Sequence, residues 1–170
     1  MLKLSGSISS VGVRGSKGIT CLDPSYTSDF SADADGWTNV QGVFTLMGNR
    51  DGIGGLDDNL QIRFTSTTGG APASITKTLS TGFTVGCTYN YAIKYRIPSL
   101  NDEVEYIDRI TIGGVNVTIH TSPQTPDTWV TASGTFVATS SSAAATIVFN
   151  AAHNAGVTDQ AYINTIEIYL

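Results

Sequence analysis

Residues 85–97 run Val85-Gly86-Cys87-Thr88-Tyr89-Asn90-Tyr91-Ala92-Ile93-Lys94-Tyr95-Arg96-Ile97. Val85, Cys87, Tyr89, Tyr91, Ile93, Tyr95 and Ile97 fall on one parity, and Thr88, Asn90, Lys94 and Arg96 fall on the other. A strand turns successive side chains to opposite faces, so this alternation predicts a long strand with one face buried. The tyrosines belong to the core side, and Asn90, Lys94 and Arg96 to the other.

The same period recurs on both sides of this stretch. Leu60-Gln61-Ile62-Arg63-Phe64 alternates with Leu60, Ile62 and Phe64 inward, which leaves Gln61 and Arg63 outward. Val43-Phe44-Thr45-Leu46-Met47, residues 74–79, 104–112, 115–119, 129–137, 145–149 and 161–169 are further strand candidates. Gly113-Gly114 is a two-residue hairpin signal between two of them. No segment sustains a helical period; residues 151–155 could hold one turn at most. Short strands separated by turn residues predict an all-β antiparallel sandwich or barrel.

The chain of 170 residues is long enough for one core-bearing domain. It is 41% hydrophobic but only 14% charged, well below the average of about 25% for soluble domains. Thr, Ser, Gly and Asn fill the polar positions, which suits pleated strands and turns. The net charge of -5 argues against nucleic acid as a partner. No apolar run is long enough to span a membrane. No secretory h-region follows Met1, so the chain is expected to be made and kept in the cytoplasm, or to leave by lysis or a signal-independent route.

The charge is uneven. Lys3, Arg14 and Lys17 all precede the first acid, Asp23, so residues 1–22 carry +3; the remainder, with six bases and fourteen acids, carries -8. Residues 1–28 read as an extended Gly/Ser-rich arm, and residues 29–170 as the sandwich. The arm either lies along its own domain as an edge strand or docks on a neighbouring subunit. The docking reading makes Leu2, Lys3, Leu4, Ile8, Val11, Val13, Arg14 and Lys17 the partner-binding residues, with the cations meeting an acidic surface. Two cysteines, Cys21 and Cys87, are expected to be buried thiols, since a secreted framework usually carries four or more.

Several local patterns fall in a telling order. Ser28-Asp29-Phe30-Ser31 is followed by Asp35-Gly36-Trp37, then by Gly55 through Phe64, then by Thr84-Val85-Gly86-Cys87-Thr88-Tyr89. Thr128-Trp129 with Gly134-Thr135-Phe136 comes next, and Ala161-Tyr162-Ile163-Asn164-Thr165-Ile166-Glu167-Ile168 closes the series. This order resembles the family 4/9 type of carbohydrate-binding module, a galactose-binding-like jelly roll, over about residues 28–170. The resemblance implies a jelly-roll sandwich and places Trp37 and Trp129 at packing positions in the core. It also implies a structural calcium, whose ligands would match Ser31 and Asn164; neither is a carboxylate here, so no cofactor is expected. Asp33-Ala34-Asp35-Gly36 lacks an EF-hand's closing Glu, and the acidic stretch 51–59 reads as a loop.

Nothing suggests catalysis. His120 and His153 stand in no metal-ligand spacing, and no nucleophile elbow or phosphate loop occurs. Asp102, Glu103, Glu105 and Asp108 read as a solvated charge run. The expectation is therefore a non-enzymatic phage virion protein, a capsid decoration or head or tail accessory, meeting virion subunits or its own copies through the arm. Its basis is a domain standing alone, without a signal, bearing a basic arm on an acidic body. The alternative is a carbohydrate-binding module or lectin that holds a glycan through Gln61, Arg63, Asn90, Lys94 and Arg96.

Overall fold

The computed structural model describes residues 18–64, 72–98, 104–122, 124–151 and 160–170. The alternating stretch forms β6 (Thr88–Arg96), with Tyr89, Ile93 and Tyr95 fully buried. It pairs antiparallel with β11 (Gln160–Tyr169) on one side and β9 (Val130–Val137) on the other. β4 (Asn59–Phe64) joins β11, β3 (Val43–Arg50) joins β4, and the short β1 (Tyr26–Thr27) lies beside the end of β11. This β6 sheet has the order β3-β4-β11-β6-β9. A second sheet has the order β2-β5-β10-β7-β8: β2 (Thr38–Gln41), β5 (Ala73–Thr78), β10 (Ala144–Ala151), β7 (Val104–Ile112) and β8 (Val115–Thr118). All pairs are antiparallel, and no helix occurs among the described residues.

The two inward faces form one core. Leu60, Ile62, Ile163 and Ile166 come from the β6 sheet; Ile75, Ile107, Ile110 and Ile147 come from the other. Phe64 meets Phe149 edge to face across the sandwich, at 5.2 Å between centroids. Phe83 and Tyr89 make a similar contact at 5.0 Å. Trp37 is 3% exposed and donates Nε1–H to the Tyr26 hydroxyl at 2.9 Å, which satisfies its polar atom inside the core. Tyr26 in turn donates to Asp35 at 2.6 Å; burial first, and then this carboxylate, push its hydroxyl pKa well up. The Gly113-Gly114 hairpin is present, with both glycines at positive φ, the conformation a two-residue type I′ turn requires.

Three expectations need correction. Val85 is 53% exposed, not inward. Gly86 has φ +86°, and the Cys87 N–H bonds the Thr84 carbonyl at 3.1 Å, so a turn separates Val85 from the alternating strand. Cys21 and Cys87 are not free thiols; they form a disulfide with 5.9 Å between their Cα atoms. The residues around Cys21 also belong to the sandwich. The Leu22 N–H bonds the Thr84 hydroxyl at 3.0 Å, Pro24 is buried and β1 completes the β11 edge. Residues 1–17, which carry all eight proposed arm contacts, lie outside the described residues, as does His153.

The disulfide closes a span of 66 residues between an edge segment and the start of β6. Crosslinks of this kind typically contribute about 2–4 kcal/mol, in large part by restricting the unfolded chain. The doubly substituted Cys21→Ser/Cys87→Ser protein is expected to lose that much in a denaturant titration. Adding reductant to the native protein should give a matching loss and leave the variant unchanged.

Candidate functional site

The residues that β6 does not bury lie on the outward face of its sheet. Cross-strand register makes a row there: Met47 of β3 opposes Gln61 of β4, Gln61 opposes Tyr162 of β11, and Tyr162 opposes Arg96 of β6. Neighbouring rows add Arg63 opposite Gln160, and Lys94 opposite Thr165. Asn90 opposes Tyr169 further along. Gln61, Arg63, Asn90, Lys94 and Arg96, singled out by parity, thus share one sheet face.

They are not equally accessible. Gln61 is only 2% exposed, although it faces away from the core. Its Nε2 donates to Gln160 Oε1 at 2.6 Å and lies 3.0 Å from the Tyr162 hydroxyl, yet its Oε1 is buried with no partner. Asn90, Lys94 and Arg96 are half-buried, and Arg63 is exposed. Arg96 pairs with Asp127 at 2.7 Å, while its Nε is buried and unpaired. Asp127 is held in the left-handed region at φ +57°, with its N–H bonded to the Ile97 carbonyl at 2.9 Å. That turn delivers Trp129.

Trp129 is not a core residue. Val130, the next residue, packs against the core, so Trp129 faces the opposite side. It is half-buried, and its Nε1–H is buried without a partner. The covering element is the loop between β3 and β4. A Cβ built on Gly54 would stand 2.8 Å from Trp129 Nε1 and 3.3 Å from Arg96 Nε, so only a glycine lets this backbone lie so close. The loop is held by its own acids: Asp57 accepts from the Gly52 N–H at 2.9 Å, and Asp51 accepts from the Asp58 N–H at 3.1 Å.

A buried amide network anchors the loop to the sheet. Asn59, fully buried, donates Nδ2–H to the Arg50 and Leu56 carbonyls, each at 2.7 Å. Its Oδ1 accepts from Asn164 Nδ2 at 3.1 Å, and Asn164 also donates to the Asp57 carbonyl at 3.2 Å. A bulge between Ile163 and Thr165 sets Asn164 and Thr165 against Lys94 and restores Ile166 to the core. At the two positions that the resemblance would match to calcium ligands, Asn164 directs its amide N–H groups to the Asp57 carbonyl and Asn59 Oδ1, and Ser31 is exposed; neither carries a carboxylate. Among the described residues, no group of three His, Cys, Asp or Glu side chains is arranged to hold a metal. Asp33 and Asp35 are used locally: Asp33 accepts from the Asp35 N–H, and Asp35 pairs with Lys77 at 3.0 Å.

The chain matches no protein-family model. It also matches no curated protein. Among solved structures it is similar to the CBM22-1 xylan-binding domain of Paenibacillus barcinonensis Xyn10C, with a TM-score of 0.56 at 12% identity over 85% of this chain and 92% of that one. It is similar to the C-terminal family 22 module of Clostridium thermocellum Xyn10B, with a TM-score of 0.56 at 15% identity over 85% and 92% of the two chains. A CBM4 structure has a TM-score of 0.50 at 14% identity, covering 78% of this chain and 85% of its own. The fold is thus the carbohydrate-binding-module type of jelly roll that the motif order resembled.

The Gly54 contact gives a direct test of how Trp129 is covered. Gly54 is also at φ +58°, where a side chain costs about 1–2 kcal/mol. Gly54→Ala should lose about that much stability and lift the loop from Trp129. Acrylamide quenching of tryptophan fluorescence should rise, because Trp37 stays buried. Unchanged quenching would show that the loop does not shield Trp129.

Proposed function

We propose that the chain is a non-catalytic carbohydrate-binding module that holds a polysaccharide on the outward face of the β6 sheet. The observation that carries this reading is the row Gln61–Tyr162–Arg96 ending at Trp129, where three buried polar atoms lack partners. Unsatisfied buried polar groups are uncommon and costly, at about 1–3 kcal/mol each. Sugar hydroxyls both donate and accept, so a glycan laid along this row could satisfy the Gln61 Oε1 acceptor and the Arg96 and Trp129 N–H donors together. The Trp129 ring supplies the apolar surface that a sugar face requires.

The xylan-binding name of one structural neighbour supports a polysaccharide ligand. The Cys21–Cys87 disulfide supports work outside a reducing cytoplasm. No named neighbour above is a virion component, and the phage reading rests on the sequence features alone; the glycan reading takes precedence over it. The absence of turnover belongs to the same proposal: the face offers amides, guanidinium groups and a phenol, not the pair of carboxylates that glycoside hydrolysis uses.

Titration with soluble oligosaccharides, read by tryptophan fluorescence and calorimetry, tests the proposal. Trp129→Ala should weaken binding at least about tenfold, a change of about 1.4 kcal/mol. Its stability cost should fall below the about 3–5 kcal/mol of a core aromatic truncation, because the ring is half-buried. Full affinity in the variant would remove the face from consideration.

A further inference from the structure

The cations of this acidic protein are not spread evenly. The described residues include six Lys or Arg residues: Arg50, Arg63, Lys77, Lys94, Arg96 and Arg109. Lys77 and Arg109 lie in the other sheet and pair with Asp35 and Asp108. The other four lie on β3, β4 and β6, each in register with a residue of the outward face. Of these, Arg96 has its carboxylate in Asp127; Arg50, Arg63 and Lys94 have none within ion-pair distance among the described residues.

The counter-charges on the face are few. Glu167 of β11, opposite Ala92, is the one acid among the described strand residues of that face. Asp51, Asp57 and Asp58 stand in the loop beyond Arg50, so that end of the face is locally balanced. The centre is not. Arg63, Arg96 and Lys94 form a diagonal band around Tyr162 that crosses two strand spacings, about 10 Å, from β4 to β6 while running from the level of Gln160 to that of Thr165 along β11. Everything between them is a neutral hydrogen-bonding group: Gln61, Gln160, Tyr162, Asn164 and Thr165. A sheet face chosen only for solubility on a chain of net charge -5 would carry acids as readily as bases.

We infer that the polysaccharide held here is an acidic one, whose uronic-acid carboxylates meet Arg63 and Lys94 while its hydroxyls meet the amides of the row. This inference rests on the glycan reading above and narrows it. Carboxylate recognition by exposed or half-exposed cations works at short range. Salt screens the net negative charge of the body beyond about 8 Å, so the local band decides the interaction. Charge-assisted hydrogen bonds are about twice as strong as neutral ones, which gives each carboxylate contact weight in selecting the polymer.

The test uses the full chain against polygalacturonate, alginate and glucuronoxylan, each beside its carboxyl-reduced counterpart, with neutral xylan and dextran sulfate as further probes. Carboxyl reduction keeps the sugar and removes only the charge. At least one uronate polymer is expected to bind about tenfold more tightly than its reduced form. Arg63→Gln and Lys94→Gln should each narrow that gap, weakening binding of the native polymer more than binding of its reduced form. Equal binding of every native and reduced pair would overturn the inference while leaving a glycan-binding protein. Equal retention by dextran sulfate would also overturn it, by marking bare polyanion adsorption. If no polymer in the panel binds, the glycan reading itself fails and this inference falls with it.

Discussion

β6 is committed on both faces at once. Tyr89, Tyr91, Ile93 and Tyr95 can be buried only if Asn90, Ala92, Lys94 and Arg96 point the other way. A one-residue slip would put lysine and arginine into an isoleucine-rich interior and strip the core of its largest rings, so the register is strongly determined. Because β11 and β9 flank β6, the same choice sets which of their residues face outward. The polar row on the outer face is thus a geometric consequence of core packing, and its composition is where function has room to act.

The outer face departs from an ordinary solvated sheet in two ways. Its middle is covered: Gln61 and Tyr162 are buried although they face away from the core, and Gln61 is hydrogen-bonded across the sheet to Gln160 and Tyr162. Its hydrogen bonds also divide into a closed set and an open one. The Asn59–Asn164 network has partners for its donors and fixes the loop. The Gln61, Arg96 and Trp129 atoms lie beyond that network and have none. A network satisfied at one end and open at the other has the form of a binding surface supported from behind.

Much of this arrangement was legible in the sequence. Period two in β4 and β6 separates core from surface residue by residue, and it placed Gln61, Arg63, Asn90, Lys94 and Arg96 on one face; in β11 the bulge after Ile163 breaks that period. Trp129 was misplaced because a motif analogy put it in the core. The local signal pointed outward: Val130 faces inward, and Pro126-Asp127-Thr128 is turn chemistry that ends just before the ring. The disulfide was hidden because Cys21 sits in a segment with little strand character. Its proximity to Cys87 depends on β1 closing against β11, a pairing of only two residues per strand. Burial of Gln61 was equally illegible, since its contacts are with Gln160 and Tyr162 of β11, a strand remote in sequence.

The loop's own chemistry explains how a flexible glycine-rich segment can serve as a cover. Gly52, Gly54 and Gly55 all take positive φ, which lets the backbone turn tightly enough to reach Trp129 and Arg96. Glycine also raises the entropy lost on ordering, so such a loop needs fixed points. The Asp51 and Asp57 carboxylates, the Ile53–Leu56 bridge and the Asn59 amide supply them. What remains without a direct bond is the contact with the tryptophan edge itself, where the loop covers the Nε1–H without offering it an acceptor. A cover tied down at its base and unbonded at its tip can yield to a ligand that brings the missing acceptor. The same geometry that leaves Trp129 unsatisfied therefore makes its uncovering inexpensive.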